Sequence, residues 1–258
     1  MRFGNDVFRD GVDICQDEVY QRMLDENSIP TTSQPTPADF SNTYSELLKT
    51  EGNIVSIHLS GKLSGTYSSA MTGRDLTPDN VRVTVLDSMS LSMGLGLSVI
   101  TAARLSQSGA TLESIINSVR ETPSVTRIVA AFDTLKYVLR SGRLGAAKAL
   151  IGGILNVKPM ITLRDSIIWP VGIARTRSKA LDSLVEMVKK SSHIEAIAIV
   201  YATVLDEALA FKQQLSSYVN ADRLYVSRLG PALGAHGGPG TIVVALRKRI
   251  SPEPSEIP

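Results

Sequence analysis

NIVSIHLSGKLSGTYSSA, residues 53–70, is the stretch whose reading decides the fold. Its first half is an apolar, β-branched run of strand length. Its second half turns through Gly61 and Gly65 into small, hydroxyl-rich residues that open a helix. Strand, turn and helix make half of a βαβ unit. VRVTVLDS (81–88) supplies the next strand, and LSMGLGLSVITAARLSQSGA supplies the next helix, with Gly109 as its C-terminal cap. TLESIINSVRETP starts on a capping-box-like pattern at Thr111 and is expected to stop before Pro123. The repeated strand–helix order predicts an α/β fold with a parallel, doubly wound sheet in an N-terminal domain of residues 1–122.

Beyond Pro123 the pattern changes. RIVAAF reads as a strand, and TLKYVLRSG and AAKALIGGILN read as helices. KPMITLRDSIIWPVGIARTR reads as a hairpin turning at Arg164 to Ser166. Helix SKALDSLVEMVKKSS, strand IEAIAIVYA and helix VLDEALAFKQQLSSYV follow. RLYVSRLG leads into LGPALGAHGGPG (229–240), which reads as a sharp loop, and TIVVALRKR leaves it as a strand. Strands joined by both hairpins and helices predict a C-terminal α+β sandwich over residues 123–250. SPEPSEIP (251–258) is a frayed tail.

Composition narrows the function. The 258 residues are 43% apolar and 20% charged, with a net charge of +2, which is ordinary globular composition. So small a charge argues against a nucleic-acid or anionic-membrane partner. There is no uninterrupted apolar run of about 18 residues, so no stable membrane insertion is expected. MRFGNDVFRDG lacks the apolar core of a signal peptide, and Cys15 is the only cysteine. These features predict a cytoplasmic protein without a disulfide, a metal site or a cofactor.

Three polar stretches exceed structural need. In PTTSQPTP (30–37), prolines stiffen the loop that carries Thr32 and Ser33, although Thr36 or Ser33 could simply cap the following helix. In LSGKLSGTYSSA (59–70), Ser64, Gly65 and Thr66 sit where a parallel strand ends and a helix begins, a place that favours anions. With hydroxyls and no neighbouring arginine, that stretch suits a single carboxylate better than a polyphosphate. It also lacks the Walker spacing. The third is the glycine-rich stretch with His236. His58 and His193 have no partners at metal-ligand spacing, and GLGLSV (94–99) breaks the dinucleotide pattern at Val99.

Taken in order, PTTSQPT, LSGKLSGTYSSA, VLDS, LKYVLRSGRLG, ILNVKPMITL, ARTRSKAL and LGPALGAHGGPG resemble the successive motifs of the DegV family, from about Phe3 to about Leu246. That family comprises bacterial fatty-acid-binding proteins, including the FakB subunit of fatty acid kinase. The resemblance implies a non-enzymatic carrier with a long-chain fatty acid in a tunnel between two α/β domains. It implies a carboxylate held by Thr32, Ser64 and His236, with Ser33, Gly65 and Thr66 beside them. It also implies a separate kinase subunit that phosphorylates the bound carboxylate and feeds phospholipid synthesis, with Arg175 of ARTRSKAL at that contact. The family's opening strand with its Thr-Asp-Ser motif has no counterpart, so the chain is expected to be truncated, with open strand edges and a more open pocket.

Two rival functions stand beside this one. The same site could carry another apolar carboxylic acid. Ser64, Asp87 and His236 also follow the chain order of an α/β-hydrolase triad, but Gly61-Lys62-Leu63-Ser64-Gly65 departs from the Gly-x-Ser-x-Gly nucleophile signature of such an esterase.

Overall fold

The computed structural model describes residues 1–26, 28–50, 52–147 and 157–249. The expected helix AAKALIGGILN, from residue 148 on, and the tail at 251–258 lie outside the described residues. The chain opens with a small hairpin, β1 (Arg2–Phe3) and β2 (Asp6–Val7), followed by α1 (Gln16–Asp25) and α2 (Pro37–Leu47). Next come β3 (Ile54–His58), α3 (Thr66–Asp75), β4 (Val83–Asp87), α4 (Ser92–Gln107) and α5 (Leu112–Arg120). β3 and β4 pair in parallel, from Ile54 opposite Val83 to His58 opposite Asp87. Their alternating side chains bury on both faces. Val83 and Val85 meet Tyr44 of α2 and Ala70 of α3. Leu86 meets Ala102 of α4 with Ile115 and Val119 of α5. The parallel, helix-covered arrangement read from the sequence is present, in a sheet with two strands among the described residues.

The helix expected to stop before Pro123 does so, with α5 ending at Arg120, and Pro123 then takes a further part. It opens one turn, α6 (Thr122–Val125), because proline at a first helical position lacks only an N–H that would be unpaired anyway. β5 (Thr126–Ala131), α7 (Lys136–Ser141), β6 (Lys158–Arg164), β7 (Ile167–Ala174), α8 (Arg177–Lys189) and β8 (Ile194–Tyr201) follow. The chain continues through α9 (Leu205–Leu215), β9 (Leu224–Arg228), α10 (Pro231–Gly237) and β10 (Ile242–Lys248). The strands form one mixed sheet in the order β7-β6-β5-β10-β8-β9. Asp165 and Ser166, at φ 50° and 64°, make the tight β6–β7 turn where the hairpin was expected.

Strict alternation divides this sheet into two apolar faces. Val129, Ile197, Ile199 and Val244 pack under Leu184 of α8 and Phe211 of α9. Ile128, Ala130, Phe132, Ala198 and Val243 face the other way. There they meet Val19, Tyr20 and Met23 of α1, Leu97 of α4 and Val138 of α7. Though first in the chain, α1 therefore packs on the large sheet. α4 is shared, with Ala102 toward the small sheet and Leu97 toward the large one. The result is helix–sheet–helix layering, and the inner face of the large sheet forms the floor of the site.

Candidate functional site

PTTSQPTP is held at both ends. The helix cap left open between Thr36 and Ser33 falls to Thr36, whose Oγ1 accepts from the Asp39 N–H at 3.2 Å while the Asp39 carboxylate accepts from the Thr36 N–H at 2.8 Å. Ser33 is thereby left exposed beside the groove. At the other end, backbone bonds between Arg2 and Thr31 (2.9 and 3.0 Å) fasten the segment to the first hairpin. Thr32 comes to lie with its Oγ1 2.8 Å from Nε2 of His236, 204 positions away.

Ser64, Gly65 and Thr66 occupy the turn from β3 into α3. Ser64 Oγ accepts from the Thr66 N–H at 3.3 Å and shares a hydrogen bond with the Thr66 hydroxyl at 2.8 Å. Gly65 allows a close approach, since a Cβ there would stand 2.8 Å from Nε2 of Gln34. The first two motifs thus meet side by side.

The glycine-rich stretch departs from the expected loop by forming α10, with Pro231 in its first turn. Its glycines answer to neighbours. A side chain at Gly234 would run into the hydroxyl of Tyr20, which donates to the Leu229 carbonyl at 3.0 Å. Gly238 has φ +84° and lies against the Tyr137 ring. Asp10 accepts from the Ala232 N–H at 3.1 Å. His236 occupies the last turn, half-buried. Burial first, and then the Arg143 charge, hold its pKa below the ordinary histidine value, so the imidazole is neutral at neutral pH.

The three motifs line one groove of about 330 Å³, which gathers Thr32, Ser33, Ser64, Thr66 and His236 beside apolar residues such as Leu59 and Leu63. Leu91, Arg143, Ile168, Leu233 and His236 also line an apolar pocket of about 90 Å³, which continues from the groove over Ala130, Phe132 and Val243 of the large sheet. Polar mouth and apolar interior are the elements of a site for an amphipathic ligand.

Arg143 corrects one expectation. The stretch around the hydroxyl cluster, residues 59–70, contains no arginine, yet Arg143 lines the same groove. It belongs to LKYVLRSGRLG, where Gly142 at φ +73° turns the chain after α7. A basic residue behind a left-handed glycine was the available signal. Thr241 was also missed. It lines the apolar pocket, and its buried hydroxyl has no hydrogen-bond partner among the described residues.

The hydrolase arrangement is not assembled. Ser64 is bonded to Thr66, His236 to Thr32, and Asp87 accepts from the backbone N–H groups of Gly61 (3.0 Å) and Met89 (2.7 Å). His58 bonds the Ser56 hydroxyl at 2.7 Å, and burial lowers its pKa. In ARTRSKAL, Arg177 donates to Glu207 at 2.6 and 3.0 Å and to the Gly240 carbonyl at 2.7 Å, bracing the glycine-rich stretch. Arg175 is exposed and stands apart from the groove lining. Among the described residues, no group of three metal-ligating side chains comes together, and no helix is long and apolar enough to cross a membrane.

Comparison with known proteins places this geometry among relatives. The family model described as "Uncharacterised protein, DegV family" matches residues 1–249. A DegV domain-containing protein of Caldanaerobacter subterraneus is 34% identical over 235 residues, covering 90% of this chain and 83% of the relative. A fatty-acid-binding DegV family protein from Thermus thermophilus superposes with a TM-score of 0.86 at 31% identity, over 96% of this chain and 89% of that one. DegV of Bacillus subtilis, a fatty acid binding protein, superposes with a TM-score of 0.84 at 29% identity and the same coverage.

Proposed function

The chain belongs to the DegV family, and from that premise we propose that it binds a long-chain fatty acid with the carboxylate at Thr32, Ser64 and His236. Ser33, Gly65 and Thr66 lie beside the head group, and Arg143 stands where groove and apolar pocket meet. The observation that carries this reading is the convergence of the three motifs on one groove that opens onto the apolar face of the large sheet. Hydroxyl donors and a guanidinium suit a carboxylate, and among the described residues Ser64 bonds Thr66 and no general base. Each methylene taken from water contributes about 0.8 kcal/mol, so affinity comes from the tail and direction from the head-group contacts. In this reading a first domain of residues 1–122 and a second of 123–250 close on the ligand from either side of a tunnel.

The protein acts as a cytoplasmic, non-enzymatic carrier that presents the carboxylate to a fatty acid kinase for acyl-phosphate formation. Arg175, exposed outside the head-group motifs, is the residue assigned to the kinase contact. Native mass spectrometry of the protein purified from its own cells tests the ligand. The expected result is a mass increment equal to a fatty acid. A different apolar acid would favour the second carrier reading, and an increment from a lipid without a carboxylate would refute both.

A further inference from the structure

Next to the apolar pocket lies a third, smaller and partly open cavity of about 40 Å³, lined by Ser90, Thr122, Thr126 and Ser166 and by the exposed Met89, Pro123 and Asp165. Among the described residues, Ile128 and Leu163 are the two that line both it and the apolar pocket. Val129 pairs with Thr162, so Ile128 on β5 and Leu163 on β6 stand side by side on the inner face. Ile128 is 6% exposed and belongs to the inner core. The third cavity has room for about one water molecule. Thr126 is one of its lining residues, and the Thr126 hydroxyl itself is buried without a hydrogen-bond partner among the described residues.

We propose that Ile128 and Leu163 form the end wall of the acyl pocket and so set the longest chain the protein accepts. This rests on the fatty-acid reading above. In front of the wall, each added methylene meets Ala130, Ile161 and their apolar neighbours, and affinity rises about fourfold per carbon. Past the wall, a methylene leaves the apolar pocket for a polar, partly open cleft, where Thr122 and Ser166 already bond to protein carbonyls and offer it no apolar surface. The gain per carbon stops there.

Gly94 supplies an independent handle on the wall. A Cβ at this position in α4 would collide with the Ile128 side chain, with Cγ1 at 2.8 Å and Cδ1 closer still. The glycine therefore lets Ile128 lean back against α4. A methyl group there drives the Ile128 side chain away from α4 and into the pocket. The glycine pair in GLGLSV, which fits no dinucleotide site, thus has a steric use at Gly94.

The test is titration with straight-chain saturated fatty acids of increasing length, against wild type and the Ile128→Ala, Ile128→Val and Gly94→Ala variants. Urea unfolding identifies variants that are folded, and Ile128→Val keeps the experiment decisive if Ile128→Ala does not fold. Wild-type affinity should climb about fourfold per carbon to a break and then level off. The break should move to longer acids in Ile128→Ala, by less in Ile128→Val, and to shorter acids in Gly94→Ala. Acids that bind with the same break in Ile128→Val and Gly94→Ala overturn the wall and leave the fatty-acid reading standing. A wild-type protein that binds no acid of any length overturns that reading and the wall with it.

Discussion

Breaking the contact between Thr32 and His236 is the sharpest test of the site, because it joins groups 204 positions apart across the groove. Thr32→Val removes the hydroxyl at nearly constant shape. Burial and the Arg143 charge keep the imidazole neutral, so the lost bond is a neutral one, typically worth about 0.5–1.5 kcal/mol. The pair is half-buried and faces an open groove where water can replace the lost partner. We therefore expect the low end, a loss of about 0.5–1 kcal/mol in unfolding free energy. Ligand binding should suffer more. A carboxylate that loses one charge-assisted hydrogen bond loses about 1.5–3 kcal/mol, or about 10–100-fold in Kd. His236→Ala should weaken binding on the same scale. Because the two groups orient one another, the double variant should fall short of the sum of the singles by at least about 0.5 kcal/mol. Urea unfolding gives the first quantity and titration with a fluorescent fatty acid the others. Additivity within about 0.3 kcal/mol, or an unchanged Kd in Thr32→Val, would refute the clamp.

Gly238→Ala should cost about 1–3 kcal/mol in urea unfolding, since φ +84° is strained for alanine and the new methyl meets Tyr137; Gly109→Ala, at φ +79° with open space around it, should cost less. A larger loss at Gly109 would contradict this account. Burial holds the pKa of both His58 and His236 below the usual value of about 6.5, so the unfolded chain binds more protons than the folded one in the window just below that value. Unfolding free energy should therefore be full above about pH 7 and fall as pH drops below about 6.5, less steeply in His236→Asn; a profile that rises on acidification would be inconsistent with both shifts. Arg175→Ala should leave fatty-acid affinity within about twofold, as expected of an exposed charge, yet slow phosphorylation of the bound acid by a cognate kinase. Equal phosphorylation rates would remove Arg175 from the kinase contact.

Much of this could be read along the chain because it follows from local chemistry. The β-branched runs at 54–58 and 83–87 dictate strands, and their spacing around a helix dictates parallel pairing. The alternation Ile128, Val129, Ala130, Ala131 determines that β5 has two apolar faces. The hydroxyls of Ser64 and Thr66 and the glycines near His236 mark a candidate site by composition alone. What covers each face was not legible. That α1 and α4 roof the inner face, while α8 and α9 take the outer, depends on burying every apolar surface at once, a condition no local window contains. Likewise, Thr36 and Ser33 are equivalent caps on paper, and backbone geometry alone assigned the bond to Thr36. Arg143 lies 79 positions beyond Ser64 in the chain, and it reaches the same groove because a left-handed turn at Gly142 follows α7. Residue types announced the chemistry of the groove, and long-range packing chose which of them share it.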